Sequence, residues 1–242
     1  MNRAWPWWSS AAAAGVGGVA AAAFGPALTS LAPRRRPALF PRLCGVEPGA
    51  ALALTFDDGP DGTSTPAVLD VLARHEVRAT FFLLGRHAAA HADVVRRLVD
   101  EGHELAVHGW DHWALPLKRP GTVRGELSRS VEVIETLAGV RPRWYRPPFG
   151  VMTTEGLLAA RAVGLDTVLW STWGVDWAAR ATPESVVRRV LRDARPGGCV
   201  LLHDSDRCSA PGSWRTTVAA TEALLRHWEG VGQPVGPLGA RR

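Results

Sequence analysis

Two adjacent carboxylates, Asp57 and Asp58, sit where the apolar run Ala51 to Phe56 meets the break Gly59-Pro60. A strand there delivers both acids into one turn, and a turn lets neighbouring side chains aim at one cavity although strand side chains alternate. Such a pair can divide labour, one carboxylate holding a metal while the other takes a proton from water. Asp-Gly and Gly-Pro are also ordinary turn chemistry, so the pair means little by itself. His108-Gly-Trp-Asp-His112 gives it company. Its i, i+4 spacing places two imidazoles on one face of a helical turn, suited to a divalent ion of the zinc type once an aspartate completes the set. Arg146, Asp176 and the pair His203-Asp204 recur further along, each after an apolar stretch.

These groups can meet only if the chain gathers strand ends, and its periodicity predicts that. Ala50 begins a strand, Thr65-Pro66 caps a helix running to about His75, and Arg78 to Leu84 is strand-like. Val94, Val95, Leu98 and Val99 lie at helical spacing before Gly102, and Glu104 to Val107 forms a short strand. A helix over Leu127 to Ala138 follows, then a strand at 143–146, a helix from Thr153 to Val163 and a strand at 166–170. Thr182-Pro183 caps the next helix, 198–203 is a strand, and Ser213 to Trp228 is the last helix. Strand–helix alternation with short connections argues for a parallel α/β fold, and the count favours a barrel over an open sheet. Active residues of such a barrel come from the C-terminal strand ends. Asp57, Asp58, His108, His112, Arg146, Asp176 and His203 all fall there, whereas the histidines at 75, 87, 91, 103 and 227 lie on helices or before a strand.

Composition sets the frame. With 242 residues, 46% hydrophobic and 21% charged, the chain is that of a folded protein with one full-sized core. The expected organisation is an apolar N-terminal segment at 1–33, a Pro/Arg-rich linker at 34–49 and a catalytic domain at 50–242. Residues 9–32 carry no charge, so membrane association, export or anchoring with an extracytoplasmic domain is the expectation, a cytoplasmic location the alternative. The net charge of +5 comes from dispersed arginine, Lys118 being the sole lysine among 28 basic residues, so no nucleic-acid partner is expected. Of three cysteines, Cys199 reads as a small buried hydrophobe, and Cys44 with Cys208 could pair in an oxidising compartment.

From Ala51 to about Trp228 the chain resembles the polysaccharide deacetylase family, the NodB homology domain of carbohydrate esterase family 4. The resemblance rests on five ordered motifs: Thr55-Phe-Asp-Asp-Gly-Pro60, His108-x-x-x-His112, Arg146-Pro-Pro-Phe-Gly150, Asp176-Trp177 and Leu201-Leu-His203. It implies a distorted (β/α)7 barrel that binds one divalent ion, Zn before Co, Mn or Ni, through Asp58, His108 and His112. It further implies that Asp57 is the general base for a metal-activated water and that Phe149 offers its backbone N–H to the oxyanion. His203 would be the general acid, Arg146 and Asp176 would orient Asp57 and His203, and Trp177 with Leu201 would receive the acetyl methyl group. The expected reaction is removal of N-acetyl groups from a peptidoglycan-like or chitin-like polymer. The alternatives are the same chemistry on a small amide or an O-acetyl ester, or a carbohydrate-binding module without catalysis. One departure stands out: Trp173 occupies a position three residues before Asp176 where the family often has an acid.

Overall fold

The computed structural model describes residues 35–119 and 121–241, together with 23 and 25–27. A short helix, α1 (Arg36–Leu39), precedes β1 (Leu52–Asp57), α2 (Ser64–Arg74) and β2 (Thr80–Leu84). Two helices in succession, α3 (Gly85–Ala90) and α4 (Ala92–Asp100), lead to β3 (Glu104–Gly109), α5 (Thr122–Ala138), β4 (Trp144–Tyr145) and α6 (Thr154–Ala162). The chain continues through β5 (Asp166–Thr167), β6 (Thr172–Trp173), α7 (Pro183–Asp193), β7 (Cys199–His203), α8 (Ser213–Gly230) and β8 (Val235–Gly236).

The strands are parallel and ordered β5-β4-β3-β2-β1-β7-β6, with β8 added to β1, so β1 is the centre of a curved sheet. Every residue of β1 is buried, which is why its sequence reads as an unbroken apolar run until the carboxylate. Alternation along the strands divides the interior in two. Phe56, Phe81, Val107 and Leu202 face the helices, while Phe82, Ala106 and Leu201 join Trp170 and Leu169 inside the barrel. This is the distorted barrel that the resemblance implied.

β5 and β6, consecutive in the chain, do not pair with each other. The stretch between them is met by the segment expected as a linker. Leu43 O accepts the Leu169 N–H at 2.6 Å, Gly197 O accepts the Glu47 N–H at 2.9 Å, and Arg36 and Cys44 are buried. The Arg36 guanidinium stacks 4.7 Å from the Trp170 ring centroid and donates to the Trp170 carbonyl. Residues 35–48 are thus part of the barrel wall. The apolar stretch 9–32 lies almost wholly outside the described residues; among those described, no helix is long and apolar enough to cross a membrane.

Two of the described helices begin with a side-chain cap. Thr182 and Ser185 form a reciprocal capping box before α7, and Thr153 caps α6. At α2 the expected cap, Thr65, is already inside the helix, and the Asp61 side chain accepts the N–H groups of Thr63 and Ser64 instead. The Thr65 hydroxyl is engaged elsewhere, with Asp204.

Candidate active site

The register of the sheet brings the first and last chemical groups side by side. Asp57 at the end of β1 is the direct neighbour of His203 at the end of β7. Asp57 Oδ1 accepts from Arg146 Nη1 at 2.6 Å. Arg146 is fully buried; Nη1 also donates to Thr55 Oγ1, Nη2 donates to the Leu169 carbonyl and Cys199 Sγ, and Nε has no hydrogen-bond partner. A buried guanidinium tied to fixed acceptors holds the carboxylate in one orientation. Cys199, expected as a plain buried hydrophobe, is buried and also takes one of these contacts.

Asp58 follows with φ 79°, a left-handed backbone that turns its side chain away from the strand's alternation. Its Oδ1 lies 3.3 Å from His108 Nε2 and 3.2 Å from His112 Nε2, and the three ligand atoms fall within 4.8 Å of one another. His108 Nδ1 is 2.9 Å from the Arg146 carbonyl, which can only accept, so Nδ1 donates there and Nε2 is the nitrogen turned toward Asp58. Burial pulls His112 down to about 4, its neutral form. Although burial alone would raise Asp58, the facing His108, His203 and His112 hold its carboxyl well below the usual range. Asp58 Oδ1 is buried without a hydrogen-bond partner. A buried carboxylate oxygen facing two imidazoles in this way fits a divalent cation, with two nitrogens and one oxygen as ligands.

The two histidines do not share a helical turn, as their spacing had suggested. His108 is the penultimate residue of β3, Gly109 at its end takes φ 112°, and the chain bends through residues 110–112 to bring the rings to a centroid distance of 5.3 Å. Only a residue without Cβ takes that φ readily, and the bend folds the Asp111 carbonyl over Gly109.

Opposite the carboxylates, His203 Nδ1 meets Asp176 Oδ1 at 3.1 Å, and Asp176 Oδ2 accepts from the His203 N–H and the Thr217 hydroxyl. Burial would lower the His203 ring, but the Asp176 charge and hydrogen bond outweigh it and raise it to about 9. Trp177 lies edge-on to His203 at 5.0 Å, Trp173 meets Trp177 tilted at 5.2 Å, and Trp170 stacks on Trp173 at 5.7 Å. Phe149, with φ 59° in a tight turn, places its ring edge-on to His112 at 4.3 Å and leaves it over half exposed.

One cavity of about 220 Å³ is lined by Asp57, Asp58, His108, His112, Phe149, Trp177, Leu201 and His203. Arg146 and Asp176 stand behind Asp57 and His203 in direct contact. Trp170 and Trp173 complete the apolar wall, so the indole that replaces an acid faces the same cavity. Trp110 instead lies under Arg129, Trp214 under Arg215, and Trp113 is exposed. Cys208 lines the mouth of the cavity as a free thiol and Cys44 is buried and free, so the bond considered between them is not formed.

Asp204 had no assigned role, and the structure gives it one. It is fully buried, accepts the Gly59 N–H at 3.1 Å and the Thr65 hydroxyl at 2.6 Å, and thereby fixes the turn that carries Asp58. A Cβ on Gly59 would come within 2.1 Å of the Asp204 carboxylate. Burial raises Asp204 to about 7. The signal was an acid directly after a strand-end histidine, legible only with its partner.

Residues 45–168 match the family described as polysaccharide deacetylase. The chain belongs to that family. It is 41% identical over 169 residues to a chitooligosaccharide deacetylase of Bradyrhizobium, covering 69% of this chain and 75% of the relative. Among solved structures, the Bc1960 peptidoglycan N-acetylglucosamine deacetylase superposes with a TM-score of 0.74 at 31% identity, covering 81% of this chain and 90% of that one. BA3943 of Bacillus anthracis, described as a CE4 family pseudoenzyme, superposes with a TM-score of 0.72 at 26% identity over 81% of this chain and 66% of that one. The family therefore spans active and inactive members on one fold, and the side chains decide between them.

Proposed function

We propose that this chain is a metal-dependent hydrolase that removes N-acetyl groups from amino sugars of a peptidoglycan-like or chitin-like polymer. The observation that carries this reading is the convergence of Asp58, His108 and His112 beside two separately oriented proton-transfer pairs, Asp57–Arg146 and His203–Asp176, on a single small cavity. Asp58, His108 and His112 would hold a divalent ion such as Zn, which when bound would supply Lewis acidity and lower the pKa of a water.

The remaining work falls to the chain. Arg146 holds Asp57 in one orientation, and Asp57 accepts the proton of the attacking water. The Phe149 N–H donates to the oxygen on which negative charge develops. His203, kept protonated by Asp176 to about pH 9, gives its proton to the departing nitrogen, a required step because an amide anion is a very poor leaving group. Trp177 and Leu201, backed by Trp170 and Trp173, accept the methyl group and exclude water from it. A carbohydrate-binding module would not need this full complement of acid, base and ligands. We further propose export or anchoring through residues 9–32, the uncharged stretch of the chain. A C-terminal reporter active only outside the cytoplasm tests it, and silence from a stable fusion would overturn it.

The activity test is acetate release from N-acetylated chitooligosaccharides and from peptidoglycan, with and without chelator, beside Asp57→Asn. Release that disappears with chelator and falls roughly 100-fold or more in Asp57→Asn is the expected result. Release indifferent to both would overturn the mechanism, and no release from either substrate would overturn the assigned substrate class.

A further inference from the structure

The sole lysine of the chain is almost hidden. The Lys118 side chain is 8% exposed, its ammonium 2.6 Å from Asp111 Oδ1 and hydrogen-bonded also to Glu126 Oε2. Asp111 immediately precedes His112, and Glu126 stands on α5. In a helical turn, backbone hydrogen bonds would set the distance between His108 and His112. The observed bend lacks that ladder, and its backbone tie to the neighbouring chain is the Arg86 N–H to the Trp110 carbonyl at 3.1 Å. Side chains of α5 add the rest. The Arg129 guanidinium covers the Trp110 ring at 3.7 Å, and Glu126, three residues earlier on the same helix face, reaches Asp111 through Lys118.

We infer that Lys118 is a positioning residue for the metal site: it clamps Asp111 to α5 and thereby fixes His112 where it faces Asp58 and His108. The inference rests on the metal reading above. An ammonium suits the position because two carboxylates converge on one compact nitrogen with three donors, whereas a guanidinium spreads its donors over a planar fork. Arginine fills the other basic positions of the chain, so lysine here follows the geometry of the clamp rather than the compositional trend.

The test uses the full chain stripped of metal, titrated with Zn2+ against a chromophoric chelator, with the unfolding midpoint of the stripped protein recorded in parallel. Lys118→Met and Asp111→Asn are each expected to weaken Zn2+ binding about 10- to 100-fold, as outer partners of metal ligands do, while the stripped-protein midpoint moves by only a few degrees. Lys118→Arg is expected to fall short of restoring affinity. The double variant is expected to bind no more weakly than the worse single variant, because both break one clamp. Should Lys118→Met not fold, Glu126→Gln breaks the same clamp from α5. Zn2+ affinity within twofold of the unaltered chain in Asp111→Asn and in the lysine or glutamate variant overturns the inference, as does an additive double loss. No Zn2+ binding by the unaltered chain overturns the metal assignment and the clamp with it.

Discussion

Two histidines in the cavity have an aspartate as neighbour and end in opposite protonation states. His112 faces Asp58 at 3.2 Å and is held neutral, down to about 4, whereas His203 faces Asp176 at 3.1 Å and is raised to about 9. Distance does not separate them. Asp176 spends one oxygen on the His203 ring and is anchored by the His203 N–H and Thr217, so its charge serves one imidazole in an aligned hydrogen bond. Asp58 Oδ1 is shared between His108 and His112 with no aligned donor, so burial prevails at His112. A His–Asp neighbourhood is therefore a proton store or a cation site according to whether the carboxylate is dedicated or shared.

The largest break in that comparison is Asp58→Ala. With the shared carboxylate gone, two imidazoles remain, and we expect metal content near zero by atomic absorption and acetate release reduced to background. Next is Asp176→Asn, which removes the dedicated charge and leaves the ligands alone. If His203 is the proton donor proposed above, an alkaline limit of activity near pH 9 is expected to move down toward the ordinary value of 6.5, with roughly tenfold or greater loss of kcat at pH 8 and metal content retained. The same shift appears in stability. Because the folded value is raised, the contribution of His203 is complete below pH 6.5 and is lost as pH rises through about 9. Unfolding midpoints across that window should fall in the unaltered protein and flatten in Asp176→Asn.

The smallest effect belongs to Asp204→Asn. Its carboxyl is raised to about 7, so what it contributes is present below the ordinary 3.8 and lost as pH climbs through 7. An amide can accept from Gly59 and donate to Thr65, so at pH 8 the variant's midpoint is expected to match or exceed the unaltered one by a few degrees. A drop of ten degrees there would show that the charge itself holds the turn.

How much of this the sequence carried depends on the range of each contact. The strand-end rule puts Asp57 and His203 on one rim from periodicity alone, because a parallel register needs only alternating elements of adequate length. Spacing misled at His108 and His112. The i, i+4 pattern reads as helix, but a strand already claims His108, and the φ of Gly109 bends the chain instead. Residues 35–48 read as a linker because proline and arginine punctuate them, yet Arg36 finds its acceptor at the Trp170 carbonyl, 134 positions away. Asp204 was visible as an acid beside a histidine, but its partners Gly59 and Thr65 lie on the far side of the β1–β7 seam. No local pattern encodes such partners.

The central place of β1 also has a consequence in time. During synthesis Asp58, His108 and His112 emerge together in the first half of the chain, with Lys118 and Glu126 close behind. Asp176, His203 and the strands β7 and β8 that flank β1 come last. A nascent chain halted before β7 holds the three proposed ion ligands and Asp57, but lacks His203 and leaves one edge of its innermost strand open. The ribosome therefore completes the candidate ion site first and the full cavity only with the final strands, and until they arrive the open edge of β1 is exposed to pairing with foreign strands.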